Sequence, residues 1–166
     1  DALVVFFTDH GEAHWEHGDM GHAHGLFEPE NRAVVAIAAP GLAPLWWDGP
    51  TSHRDIWPTI FDALALELDN EFSGVPLGQL PSDHTRYGIR HSGDPIMQFV
   101  ERGGTKLMYW WSGERRLYLL GQDPGELEDV YNPADPDVQA LWELLEEDIE
   151  RVQALMPAYK PVDVGP

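Results

Sequence analysis

Two unbroken apolar runs frame the first forty residues. Leu3-Val4-Val5-Phe6-Phe7 stops at the polar cluster Thr8-Asp9-His10-Gly11-Glu12, and Ala33-Val34-Val35-Ala36-Ile37-Ala38-Ala39 stops at Pro40-Gly41. Apolar runs without alternation are the pattern of strands covered on both faces. Both are therefore expected as core strands of a parallel sheet whose other strands would come from polypeptide outside this sequence. Residues 42 to 50 carry Pro44, Pro50 and the pair Trp46-Trp47, which reads as an irregular loop with its tryptophans packed beneath it. From Asp55 the period becomes helical: Trp57, Ile60, Phe61, Leu64 and Leu68 share one face, and Pro58 is tolerated in the first turn. That helix is expected to cover a sheet face, with residues 69 to 82 as a connector after it.

Further on the period falls to two. Tyr87–Arg90, Ile96–Arg102, Thr105–Trp111 and Arg115–Leu120, with Gly103-Gly104 and Ser112-Gly113-Glu114 between the last three, predict an antiparallel sheet of four strands. Val138, Leu141, Leu145, Ile149, Val152 and Met156 then recur every three or four residues, so a helix over about 137–156 should cover one face of that sheet. Glu147 and Arg151 stand one turn apart on its outer side, as an ion pair would. Pro157 to Pro166 should wrap or fray. The division this gives is 1–84, part of an α/β core, and 85–166, a small sheet with its helix.

Charge removes whole classes of partner. Twenty-nine acidic residues against ten basic ones give a formal net charge of −19, with Lys106 and Lys160 the two lysines. Phosphate backbones and anionic lipid need Lys and Arg, so neither nucleic acid nor a membrane surface is expected as partner. The balance fits an ordinary acidic protein or one adapted to high salt. A salt-adapted protein would be expected in the cytoplasm, and otherwise a secreted or periplasmic one. No cysteine is present, which excludes disulfides and thiolate ligands within the sequence, and no apolar stretch approaches spanning length.

Candidate chemistry gathers after the first strand. Asp9 offers a hard oxygen and His10 a borderline nitrogen at a strand's carboxyl end, where α/β sheets place their ligands. The same tripeptide also makes a turn, with Asp9 capping amides and Gly11 allowing a sharp bend. Five of the eight histidines lie between positions 10 and 24, interleaved with Glu12, Glu16 and Asp19.

Thr8-Asp9-His10-Gly11-Glu12, Glu16-His17-Gly18, Gly21-His22, Leu26-Phe27-Glu28 and Val35-Ala36-Ile37-Ala38-Ala39-Pro40-Gly41 resemble the metal-site strand and following loop of the sulfatase family, within the alkaline phosphatase superfamily. Asp55-Ile56-Trp57-Pro58-Thr59 resembles that family's Asp-Ile-x-Pro-Thr helix start, and Leu117-Tyr118-Leu119-Leu120 with Asp123-Pro124-Gly125-Glu126 resembles its later Leu-Tyr-Asp-Leu and Asp-Pro-x-Glu segment. The resemblance spans nearly the whole chain but only the C-terminal half of a family member. It implies the C-terminal part of an alkaline-phosphatase-like α/β sandwich, followed by a small antiparallel sheet packed on a C-terminal helix. It also implies a hydrolase of sulfate esters, with Asp9 and His10 as metal ligands and His22 contacting the sulfate or protonating the leaving group. His24 is the second candidate for that work, with His14 and His17 behind it, and Glu12 would orient His10 or a loop amide. The cofactors implied are one divalent ion, calcium ahead of manganese or zinc, and a formylglycine made in a Cys/Ser-x-Pro-x-Arg motif that is absent here and belongs to the family's N-terminal half. The partners implied are a small sulfate or phosphate ester and that N-terminal half, on the same or a separate chain. Alone, this chain is expected to be inactive. Phosphonate monoester or phosphodiester hydrolysis and phosphoethanolamine transfer are the alternatives within the superfamily; a non-catalytic, metal-binding subunit is the alternative outside it.

Overall fold

The computed structural model describes residues 2–41, 46–47, 49–67, 73–91 and 95–155. The first apolar run forms β1 (Val4–Phe7) and the second β4 (Val35–Ala38), paired with Val5 opposite Ile37. They run antiparallel, not as neighbours in the expected parallel sheet. The reason is the connection: no crossover helix lies between them, only the two-residue pair β2 (Ala13–His14) and β3 (Met20–Gly21) with a 3-10 turn at Glu16–Gly18 between them, and the single turn α1 (Glu28–Asn31), so the chain doubles back beside itself. Burial differs from expectation as well, since Phe6 is 60% and Val4 58% exposed. A two-stranded ribbon of four-residue strands has no second layer from the described residues on its outward face.

The later half follows its pattern closely. β5 (Arg86–Arg90), β6 (Met97–Arg102), β7 (Thr105–Trp110) and β8 (Arg115–Leu119) make a four-stranded antiparallel meander in sequence order. One face carries Val100, Leu107 and Leu117 against Val138, Leu141 and Leu145 of α3 (Pro136–Leu155). The other face is not left to solvent: Met97, Phe99, Met108 and Tyr118 pack on Leu26 and Phe27, which arrive from the histidine-rich segment. Burial on both sides is why Met97 to Glu101 is buried at every position.

The helix expected from Asp55 begins with a 3-10 turn, His53–Asp55, and continues as α2 (Ile56–Ala63). It ends short because Ala65 takes a left-handed φ of 52°; Leu68 lies outside the described residues. Ile56 and Pro58 are buried, but Trp57 and Leu64 are exposed, so the helix does not lay its whole apolar face on a sheet. Trp46 is 90% exposed and Trp47 also exposed, contrary to a packed tryptophan pair. Of the connector, residues 73–82 include a 3-10 turn at Leu77–Gln79; its first part, like the tail from residue 156, lies outside the described residues.

Asp55 explains its motif. It is fully buried and accepts from the Ser52 amide at 2.8 Å, the Val75 amide at 2.9 Å and His84 Nε2 at 3.0 Å. Thr59 Oγ1 donates to the Asp55 carbonyl at 2.6 Å and accepts from the Leu77 amide at 2.9 Å. Gly74 is required beside this knot, because a Cβ there would lie 1.9 Å from the Arg54 carbonyl oxygen. Arg54 forks onto Asp148 of α3 at 2.8 and 3.2 Å, and Arg151 joins the same carboxylate at 2.6 Å. Arg151 thus takes Asp148, three residues before it, in place of Glu147.

Candidate active site

Just past the end of β1, Thr8 is held by three hydrogen bonds. The Thr8 amide donates to the Val34 carbonyl at 3.0 Å, Thr8 Oγ1 accepts from the Val34 amide at 3.0 Å, and the Thr8 carbonyl accepts from His53 Nε2 at 2.7 Å. Asp9 and His10 leave the ribbon from this fixed point. His10 Nδ1 donates to the Gly11 carbonyl at 2.6 Å, which fixes the tautomer and aims Nε2 outward. That carbonyl, with Asp9 beside it, raises the His10 pKa above the ordinary imidazole value. Nε2 lies 3.6 Å from Asp9 Oδ2. A lone pair on each of these atoms facing across that gap is relieved by a proton on the imidazole or by a shared cation, so the pair fits one divalent ion.

Gly11 is a packing requirement more than a bend. An added Cβ would stand 2.2 Å from the Pro29 carbonyl oxygen and 2.8 Å from that of Arg32, and the Gly11 amide donates to the Glu30 carbonyl at 2.8 Å. This docks the strand end against α1. Glu12 then pairs with His22: Nδ1 of the imidazole donates to Oε2 at 3.1 Å. Its hydrogen-bond partner is thus His22, while its charge helps to raise the His10 pKa. The ladder sets this up, since Ala13 opposite Gly21 leaves Glu12 and His22 side by side just past the strand ends. The His10 and His22 rings sit 4.2 Å apart between centroids.

Anchors behind this loop come from far along the chain. Buried Glu30 accepts from the amides of His24 and Gly25, each at 2.9 Å. Arg90 of β5 donates to the Ala23 carbonyl at 3.0 Å, holding a residue whose φ of 69° costs a non-glycine roughly 1–2 kcal/mol. Lys106 of β7, wholly buried, donates to the Leu26 carbonyl at 2.6 Å and lies 2.7 Å from Glu126 Oε1 and 3.3 Å from Glu28 Oε1. Glu126 Oε2 in turn accepts from the Glu28 amide at 2.6 Å. The segment bearing His22 is therefore clamped to the meander by an ion cluster and by Leu26 and Phe27.

Of the sequence candidates, Asp9, His10 and His22 come together with Glu12. His24 contributes its amide to Glu30 and stands outside the donor group formed by His10, Glu12 and His22. His17 stacks flat on Phe27, centroids 3.7 Å apart, which is a packing role, and the His14 amide donates to the Glu16 carboxylate. Lys106, Glu126, Glu30 and Arg90 were not singled out from sequence. Two signals were available: Lys106 is one of two lysines in an acidic chain and sits inside an alternating strand, and Glu126 closes the quoted Asp123-Pro124-Gly125-Glu126 segment.

No protein-family model matches the chain. A choline-sulfatase of Rhizobium meliloti (strain 1021) is 30% identical over 151 residues, covering 84% of this chain. That match takes in 29% of the choline-sulfatase, so the chain spans under a third of that relative. Among solved structures, a 2-O GAG sulfatase superposes with a TM-score of 0.74 at 20% identity, covering 96% of this chain and 38% of its own. The phosphonate monoester hydrolase of Agrobacterium radiobacter gives 0.66 at 24% identity, covering 92% and 35%. Sulfatase relatives and sulfatase folds together account for most of the sequence, and on that ground the chain corresponds to part of a sulfatase-family protein.

Proposed function

We propose that this chain supplies part of the active site of a sulfatase-like, metal-dependent hydrolase of sulfate esters. The observation that carries the reading is the convergence of Asp9 and His10, 3.6 Å apart, with the His22 ring tilted against that of His10. Asp9 and His10 act as two ligands of one divalent ion, and His22 acts on the ester. Glu12 accepting from His22 Nδ1 leaves Nε2 to face substrate, the arrangement of an imidazole that gives a proton to a leaving oxygen. The bound ion supplies charge neutralisation of the ester oxygens. Calcium suits the carboxylate, while the imidazole keeps manganese and zinc open.

The nucleophile, a formylglycine in this reading, belongs to the N-terminal part of the fold, which is the partner proposed for the exposed face of β1 and β4. The test is reconstitution of the chain with that part, followed by assay on an aryl sulfate. Activity that appears on mixing and falls at least about a hundredfold with His22→Ala supports the reading, since positioned acid catalysis contributes on that scale. Turnover by this chain alone would overturn it. A second reading, phosphonate monoester or phosphodiester hydrolysis, is supported by the fold shared with a phosphonate monoester hydrolase and by the imidazole beside Asp9, which suits a transition ion as well as a hard one. Faster turnover of an aryl phosphodiester than of the sulfate by the reconstituted protein selects it.

A further inference from the structure

Next to the Asp9–His10 pair stands a second donor set. One ligand atom each from His10, Glu12 and His22 lie within 4.8 Å of one another, and all three side chains are exposed. Two imidazole nitrogens and one carboxylate oxygen match a borderline ion better than calcium, and three protein donors with water in the fourth corner is a common zinc arrangement. The backbone has already brought the donors together. The Ala13–Gly21 pairing fixes Glu12 against His22, and the contact of Gly11 with Pro29 and Arg32 fixes His10. Glu12 Oε2 and His22 Nδ1 are 3.1 Å apart, close to the roughly 3.3 Å between ligands of a tetrahedral zinc, so an ion that replaces the proton they share finds both donors in reach.

We propose that His10, Glu12 and His22 form a binding site for zinc or a similar transition ion, distinct in its donors from the Asp9–His10 pair and sharing His10 with it. Resting on the reading that His22 acts on the ester, occupancy of this site releases the Nδ1 proton to solvent and breaks the Glu12 bond that holds the imidazole toward substrate. Zinc in this donor set is then an inhibitor, while an ion held by Asp9 and His10 is not. The site acts as a metal-sensitive switch at the ester-handling histidine.

The experiment titrates zinc chloride into the full chain by calorimetry, with circular dichroism to establish that each variant folds. Saturation at one zinc per chain is expected. Glu12→Gln and His22→Gln each weaken binding by at least about tenfold, while His14→Gln and His24→Gln leave it within about twofold. Diethylpyrocarbonate labelling, mapped by mass spectrometry, gives a second readout: zinc shields His10 and His22, and calcium leaves His22 reactive. Absent binding, binding indifferent to Glu12→Gln and His22→Gln, or shielding centred on His14, His17 or His24 overturns the site. Neither readout needs ester turnover. Loss of zinc binding removes this inference alone, and a reconstituted protein that binds zinc but cleaves no ester even when free of zinc removes the hydrolase reading alone.

Discussion

At the scale of single residues, close backbone approach decides more than side-chain chemistry. Gly11 invites an explanation as a turn residue, yet its use is to let the Pro29 and Arg32 carbonyls approach where a Cβ would stand. Gly11→Ala is expected to destabilise the chain by about 1–3 kcal/mol, the range for forcing atoms into a filled space, as read from urea unfolding. Ala23 is the reverse case: its φ of 69° suits glycine, and Ala23→Gly should leave stability unchanged or raise it by up to about 1 kcal/mol. A clear loss on that substitution would mean that the Ala23 methyl packs in a way that outweighs its backbone strain.

At the scale of elements, two ion clusters join parts that local patterning cannot relate. Lys106, Glu126 and Glu28 tie the histidine loop to the meander; Arg54 and Asp148 tie the start of α2 to α3. Lys106→Met strands buried carboxylates and should cost about 3–5 kcal/mol, much of it returned when Glu126→Gln is added. If the double variant is no more stable than the single one, the loss comes from packing. Burial pulls the Asp148 carboxyl up, but its bonds to Arg54 and Arg151 outweigh this and hold it below the ordinary value. A depressed carboxyl stabilises the fold above its unfolded-state pKa, and that contribution disappears as pH falls through the lowered one. Asp148→Asn should therefore flatten the acid limb of stability against pH. An unchanged slope in acid urea titrations would show that another carboxylate governs it.

At the scale of the molecule, surface character is the dominant fact. A net charge of −19 should make the chain repel itself, so its melting temperature is expected to rise between dilute buffer and molar salt. An unchanged midpoint would remove the case for salt adaptation. Val4, Phe6, Phe7 and Val34 are all exposed, an apolar grouping on the ribbon that a soluble monomer rarely shows. The chain alone should bind a hydrophobic dye and self-associate. Both should diminish with Phe6→Ser, or on adding the N-terminal part proposed to cover this face.

The meander and α3 were legible because their apolar residues recur at two and at three to four positions and are satisfied by neighbours close in sequence. Asp9, His10 and His22 could be named as candidates for the same kind of reason, since they follow a short strand in quotable motifs. Strand direction in the ribbon was not legible, because apolar runs record burial preference and carry no sign of parallel or antiparallel pairing. Nor was the clamp behind the loop. Lys106 meets Leu26 and Glu28 across about eighty residues, and only tertiary packing decides which buried charge answers which. The donor group followed the same rule: sequence supplied the histidines and the carboxylates between them, and the register of a two-residue ladder set Glu12 against His22.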